Sequence, residues 1–197
     1  LPLTQAQADA LSWLAGELGR WSARINLTAI LDPIEMADKH ILDSLTALRA
    51  LEPGTTTVLD AGSGAGFPGL PLAVARPDLS VTLVDAVAKK VGFLKHAIAQ
   101  LRLAPRIRAI HLKLQGNPEA EGLIPFDAAV SRALADPTRW AALAAPYLRP
   151  GGTLVVMAGS GAEATELPGW SPPRVDRLQL PLTGDGRTLL SYRKAAQ

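Results

Sequence analysis

The chain has 197 residues, 48% hydrophobic and 19% charged, a balance that excludes disorder and suffices for one domain with a proper core. With no cysteine, and with His40, His96 and His111 in no ligating pattern, neither disulfides, thiolate chemistry nor a metal site is expected. A net charge of +2 excludes a general polycation, no apolar run approaches the roughly 18–20 residues of a membrane span, and no secretory leader is visible, so a cytoplasmic protein free of membrane is expected.

Thr4-Gln5-Ala6-Gln7 has the form of a capping box, and Leu11, Leu14, Ala15, Leu18, Trp21 and Ile25 give the helix that follows one apolar face. A second helix is predicted from Asp32-Pro33-Ile34-Glu35, where an acidic cap precedes proline at the first helical position. It runs through Met36, Ile41, Leu45 and Leu48 and stops before Pro53-Gly54. Both helices precede the first strand. Residues 1–54 therefore read as a helical extension, and 55–197 as the core of the same domain.

From Thr57 onward, strands and helices alternate. Thr57–Asp60, Ser80–Asp85, Ile107–Leu112, Phe126–Ser131 and Thr153–Met157 have strand character, with helical patterns between several of them and a last helix over Pro137–Leu148. Such alternation predicts an α/β fold with a doubly wound, mostly parallel sheet and helices on both faces. Val175–Leu180 and Arg187–Tyr192, joined by Pro181-Leu182-Thr183-Gly184-Asp185-Gly186, then predict a hairpin, so the sheet should finish with an antiparallel strand.

The turn after the first strand carries the chemistry. Glycines fall at 62, 64, 66 and 69, allowing positive φ and close approach of a ligand, with a helix N-terminus offering N–H groups. GxGxxG fits only as Gly64, Gly66 and Gly69, too late after the strand for a dinucleotide fold. An acid two residues before Gly62 suits a cationic nucleoside better than a pyrophosphate. Asp60-Ala61-Gly62-Ser63-Gly64-Ala65-Gly66 thus resembles the D/E-x-G-x-G-x-G loop of class I S-adenosylmethionine-dependent methyltransferases, a Rossmann-like class whose sheet also ends in a hairpin. Asp85, closing the second strand beside this loop, is placed to accept ribose hydroxyls.

Charge is local. Lys89 to Lys113 holds seven Lys/Arg and no acid, whereas residues 1–55 hold four basic and seven acidic residues. A segment of that kind serves a polyanion or forms a solvated helix face, and both readings stand.

Several further stretches resemble one family. They are Trp21 with Asn26-Leu27-Thr28-Ala29-Ile30, Asp32-Pro33, and Lys39-His40-Ile41-Leu42-Asp43-Ser44; the loop through Phe67-Pro68-Gly69; Asp85 with Lys89-Lys90 and Phe93-Leu94; and Phe126-Asp127 with Ser131-Arg132-Ala133. In combination they resemble the RsmG (GidB) family of guanine-N7 methyltransferases acting on 16S ribosomal RNA. The resemblance implies S-adenosyl-L-methionine as cofactor, the 16S rRNA of the small ribosomal subunit as partner, and a monomer.

It also implies site residues. Asp60, Gly62, Gly64 and Phe67 belong to the cofactor loop, and Asp85 joins them. Gly116-Asn117-Pro118-Glu119 matches the family's gRxE segment, which puts Pro118 and Glu119 at the cofactor. Arg132 corresponds to the arginine beside cofactor and target and is the catalytic candidate. Asn26, Lys39 and His40 are candidates for the RNA side. His40, Asp43 and Ser44 share a helix face at i, i+3 and i+4, either bordering an RNA cleft or bracing the N-terminal helices. The chain departs from the family at Asn117, where arginine is usual, at Pro118, where a small residue is common, and at Ala158-Gly159, where Lys-Gly is usual.

Guanine N7 has a lone pair and no proton, so its methylation needs alignment rather than a strong base. The absence of an obvious histidine–carboxylate pair agrees with that. The lack of cysteine argues against RNA cytosine-5 methylation. Other readings are a class I methyltransferase on another substrate, an NAD-dependent oxidoreductase, and a ribosome-binding module without activity.

Overall fold

The computed structural model describes residues 2–132 and 136–195; Ala133 of the Ser131-Arg132-Ala133 segment lies outside them. Among the described residues, seven strands form one sheet: β1 (Thr57–Ala61), β2 (Ser80–Asp85), β3 (Ile107–His111), β4 (Phe126–Arg132), β5 (Leu148–Gly159), β6 (Arg174–Gln179) and β7 (Gly186–Arg193). Their order is β3-β2-β1-β4-β5-β7-β6. β1 pairs in parallel with β2 on one side and β4 on the other, so the chain reverses its direction of travel across the sheet between them. Ligand crevices of open α/β sheets lie at such a switch point, outside the carboxyl ends of the strands.

Side-chain alternation sorts the core into two layers. Val58, Val81 and Leu83 face one side, and Leu59, Ala61 and Val84 the other. The first layer is covered by α1 (Gln5–Ile25), α4 (Gly69–Ala75) and α5 (Ala88–Gln100). Leu11, Leu14 and Leu18 of α1 share that cluster with Phe93 and Leu94 of α5, so the N-terminal helix is built into the sheet's main core. Trp21 stands edge-on to Phe93, their ring centroids 5.5 Å apart. The second layer holds α6 (Pro137–Ala144), with Trp140 and Tyr147 both buried.

The capping box at Thr4 forms as expected, Gln7 N–H donating to Thr4 Oγ1 and Gln7 Oε1 accepting from Thr4 N–H. The second predicted helix is interrupted. α2 (Pro33–Met36) widens into a π-helical turn, Ala37–Leu42, before α3 (Asp43–Thr46) and a 3₁₀ turn, Ala47–Arg49. Widened turns of this kind redirect side chains and recur at functional sites.

One expectation about the later chain needs correction. The last helix ends at Ala144 and tightens into a 3₁₀ turn at Ala145–Tyr147, because Pro146 has no N–H for the α-helical ladder. β5 consequently starts at Leu148, and its pairing with β4 shifts register between Phe126 and Ala128. The antiparallel hairpin ends the sheet as expected. β7 lies inside, paired antiparallel to both β5 and β6, which leaves β6 as the rim.

Candidate active site

The glycine loop is shaped by clashes as well as by freedom. Gly62, Gly64 and Gly66 have φ of 67°, 57° and 91°, where an L side chain is strained. Gly69 is needed for space: a Cβ there would come within 2.2 Å of Leu83 Cδ2 and 2.6 Å of Asp60 Oδ2. Among the described residues nothing lies within 4 Å of where a Gly62 Cβ would stand, so they leave that face of the loop open.

Asp60 does not face this opening. It is 0% exposed, and its Oδ2 accepts the Gly69 N–H at 2.8 Å. Burial pushes its carboxyl up to about 7, against the opposing effects of the Gly69 N–H and Arg132. The sequence reading of Asp60 as a ligand contact is therefore corrected: a side chain without accessible surface braces the loop from beneath. The same bond occupies the first N–H of α4, and Leu70 N–H is taken by Gly66 O, so the helix start is not a free donor set.

Asp85 sits where the sequence placed it, 6% exposed at the end of β2. Oδ2 accepts from Gly64 N–H at 2.9 Å and Oδ1 from Val87 N–H at 2.8 Å. Each oxygen keeps a second lone pair. Ala61, Gly62, Val84, Asp85, Leu114 and Trp140 are among the walls of a hollow of about 190 Å³ here. Its surface is apolar apart from Asp85 and Lys113, the composition a purine nucleoside needs.

Phe67 is not one of those walls. It is 3% exposed and stacks on His40, with ring centroids 4.8 Å apart and planes inclined by 14°. The guanidinium carbon of Arg132 lies 5.3 Å from the Phe67 ring centre, within cation–π range. Arg132 Nη1 donates to Lys39 O at 2.8 Å and Nη2 to His40 Nδ1 at 3.3 Å. A guanidinium can only donate, so Nδ1 accepts and the imidazole proton sits on Nε2. From there it donates to Thr28 Oγ1 at 2.8 Å. Burial, reinforced by the Arg132 charge, pushes His40 down to about 4, so the ring is neutral with both nitrogens engaged.

A second hollow, about 280 Å³, opens beside this stack, lined by Ile30, Lys39, His40, Asp43, Arg132 and Arg187 together with Met157, Ala158 and Gly159. Asp43 faces Arg187 Nε at 3.3 Å and Arg132 Nη1 at 3.6 Å. Lys39 pairs with Glu35 at 2.8 Å and Asp185 at 3.3 Å. Three cations with carboxylate partners thus border one cleft at the carboxyl ends of β4 and β5. That charge pattern suits a phosphate-bearing ligand.

Lys39, His40 and Arg132 are brought together as the sequence suggested. Asn26 is not with them: it is exposed, lies outside the cleft wall, and ends α1 in the left-handed conformation, its N–H bonded to Ser22 O. Ser44 braces the helix by donating to His40 O, so the shared face is part cleft (His40, Asp43) and part brace. Pro118 and Glu119 also stand apart from the nucleoside hollow. Glu119 is exposed, and the acid turned inward in that segment is Glu121, which accepts from Tyr147 Oη at 2.6 Å and Gln115 N–H at 2.9 Å. The basic segment divides as well. Arg106 donates to Ala73 O and Leu79 O, Arg108 to Thr82 Oγ1, and Lys113 alone of the seven lines the hollow.

Sequence reading missed Thr28, Arg187 and the Trp140 and Leu114 walls. Arg187 carried a weak signal: it follows directly on a turn whose Asp185 is the acid paired with Lys39.

A sheet of order β3-β2-β1-β4-β5-β7-β6, a glycine loop after β1 and an acid at the end of β2 define a class I methyltransferase fold. The structure overlays the [4+2]-cyclase SpnF with a TM-score of 0.59 at 17% identity, covering 79% of this chain and 80% of that one, a likeness of fold alone. Residues 7–167 match the GidB family, described as rRNA small subunit methyltransferase G. The chain is 45% identical over 199 residues to the Ribosomal RNA small subunit methyltransferase G of Anaeromyxobacter sp. (strain Fw109-5), covering 98% of this chain and 91% of that one. With the protein of the same name from Anaeromyxobacter dehalogenans (strain 2CP-C) it shares 49% over 167 residues, 85% and 76% of the two chains. The chain belongs to the GidB family, and it is a methyltransferase.

Proposed function

We propose that this protein transfers a methyl group from S-adenosylmethionine to N7 of a guanine in 16S ribosomal RNA, the guanine at position 527. The observation that carries the reading is the junction of two unlike hollows. One is apolar with a single carboxylate at the glycine loop, the other is bordered by cations, and Phe67 of the loop packs directly against His40 of the cleft.

The nucleoside hollow fits the cofactor by its own chemistry: an open loop face at Gly62, free lone pairs on Asp85 for ribose hydroxyls, and apolar walls for a purine. When bound, the sulfonium supplies an electrophilic methyl carbon and a neutral thioether leaving group. Guanine N7 would offer its lone pair to that carbon and carries no proton, so the chain's own residues have to align the base rather than supply a general base. His40, neutral and committed at both nitrogens, is accordingly a holder of Arg132 rather than a base. Arg132, held by Lys39 O, His40 and Asp43 over the Phe67 ring, orients the reacting base. Lys39 and Arg187 are assigned to RNA phosphates, taking the part that Ala158 cannot. Asp60 supports the loop without touching the cofactor, and Pro118, Glu119 and Asn26 are given no direct contact. The protein is proposed to act as a monomer in the cytoplasm, with residues 1–54 and 55–197 folding as one unit.

Radiolabelled methyl transfer to purified small subunits and to naked 16S RNA tests the reading; label on N7 of one guanine is expected, and no label on either substrate overturns it. Calorimetry with S-adenosylhomocysteine and with NAD separates the cofactors, and binding of NAD alone would transfer the glycine loop to oxidoreductase chemistry.

A further inference from the structure

Asp38 is the only acidic side chain among the described residues that is 0% exposed and yet faces neither the glycine loop nor a cation, since Asp60, the other acid at 0%, braces that loop. Its Oδ2 accepts from Thr183 N–H at 2.7 Å and from Thr183 Oγ1 at 2.6 Å, and its Oδ1 from Leu182 N–H at 3.3 Å. It stands on the π-helical turn, beside Lys39 and His40. Thr183 lies in the connection between β6 and β7, and its Oγ1 also accepts from Asp185 N–H at 3.3 Å. Asp185 Oδ2 in turn faces Lys39 Nζ at 3.3 Å and Arg187 Nη2 at 3.7 Å. A chain of polar contacts therefore runs from Asp38 through the turn to two of the cations on the cleft wall.

We infer that Asp38 is a positioning residue for substrate binding: by fastening the Leu182–Thr183 turn it sets Asp185, and through Asp185 it sets Lys39 and Arg187. The inference rests on the proposed function, in which those cations meet RNA phosphate. Lys39 and Arg187 are long side chains with many rotamers, and holding them in place before binding removes an ordering cost that association would otherwise carry. The carboxylates that hold them are exchanged for phosphate oxygens as RNA arrives. Asp38 itself touches neither ligand, because it has no exposed surface.

The test is steady-state methyl transfer to small subunits by the whole chain, with S-adenosylhomocysteine affinity measured alongside. Asp38→Ala is expected to raise KM for RNA about 10-fold, with kcat and S-adenosylhomocysteine affinity within about 2-fold of wild type. Asp38→Asn, which keeps one acceptor oxygen, should recover part of the loss. In an Arg187→Ala background the Asp38→Ala penalty should shrink to about 2-fold, because the two residues act on one element. Thr183→Val removes one donor from the turn without touching the buried acid; should Asp38→Ala fail to fold, Thr183→Val carries the test and should raise KM about 3-fold. An unchanged KM in a folded variant, or equal penalties with and without Arg187, overturns the inference. Absence of methyl transfer by the wild-type protein would instead overturn the function on which it rests.

Discussion

His40 lies flat against Phe67, ring centroids 4.8 Å apart, and so ties the N-terminal helices to the glycine loop through one aromatic contact. The stack works with a neutral imidazole. Its folded value of about 4 lies below the ordinary 6.5, so between the two the unfolded chain binds the extra proton. Stability from this group is complete above about pH 6.5 and drains away as pH falls, at about 1.4 kcal/mol per unit at most. Thermal melts at about pH 7.5 and about pH 5 should show a larger loss for wild type than for His40→Gln, which has no proton to gain. Equal losses would remove His40 as the source.

Asp60 has the opposite sign. Its folded value, about 7 against an ordinary 3.8, means the folded chain holds the proton longer, so stability from this group falls as pH rises through that window. Asp60→Asn retains an acceptor for Gly69 N–H and carries no charge. It should be at least as stable as wild type at about pH 8, whereas Asp60→Ala leaves the N–H unpaired and should lose about 1–3 kcal/mol by denaturant titration.

The two ends of the glycine loop should fail differently. Gly69→Ala forces a methyl into Leu83 and Asp60, an overpacking expected to lower stability by about 1–3 kcal/mol. Gly62→Ala meets no atom of the described residues within 4 Å but stands at a φ of 67°, so it should lose about 1 kcal/mol and weaken S-adenosylhomocysteine more than it lowers the melting temperature. Calorimetry and melts on both variants check the contrast.

Arg132→Ala should leave S-adenosylhomocysteine binding near wild type while kcat for RNA methylation falls about 100-fold, the scale of a lost alignment. Full turnover with normal cofactor affinity would end its assignment.

Not every basic residue should matter to RNA. Arg106→Ala gives up hydrogen bonds to Ala73 O and Leu79 O and should lower stability by about 1.5–3 kcal/mol, with the salt dependence of RNA binding unchanged. Arg187→Ala should reduce the slope of log affinity against log salt by about one.

The parallel core was legible because alternation along β1, β2 and β4 reports two buried faces directly. Lys39, His40 and Arg132 were legible because family motifs carried them. What stayed hidden depended on distant partners. The π-helical turn has the same apolar spacing as a continuous helix, and Asp38 finds its donors across the fold at Leu182 and Thr183. Glu119 and Glu121 are equivalent on paper; Tyr147 decides which turns inward. Asp60 read as a ligand because an acid before glycines looks the same whether it faces the opening or lies beneath it.

The position of β7 has a further consequence. It follows β6 in the chain yet stands between β5 and β6, and it carries Arg187 on its first turn of pleat. During synthesis β5 keeps an open edge and β6 has no neighbour until residues 186–193 have emerged. The nucleoside side of the molecule can therefore take shape early, while the cation-bordered cleft is completed last; on the proposed function, an unfinished chain lacks the grip on RNA that the finished one has.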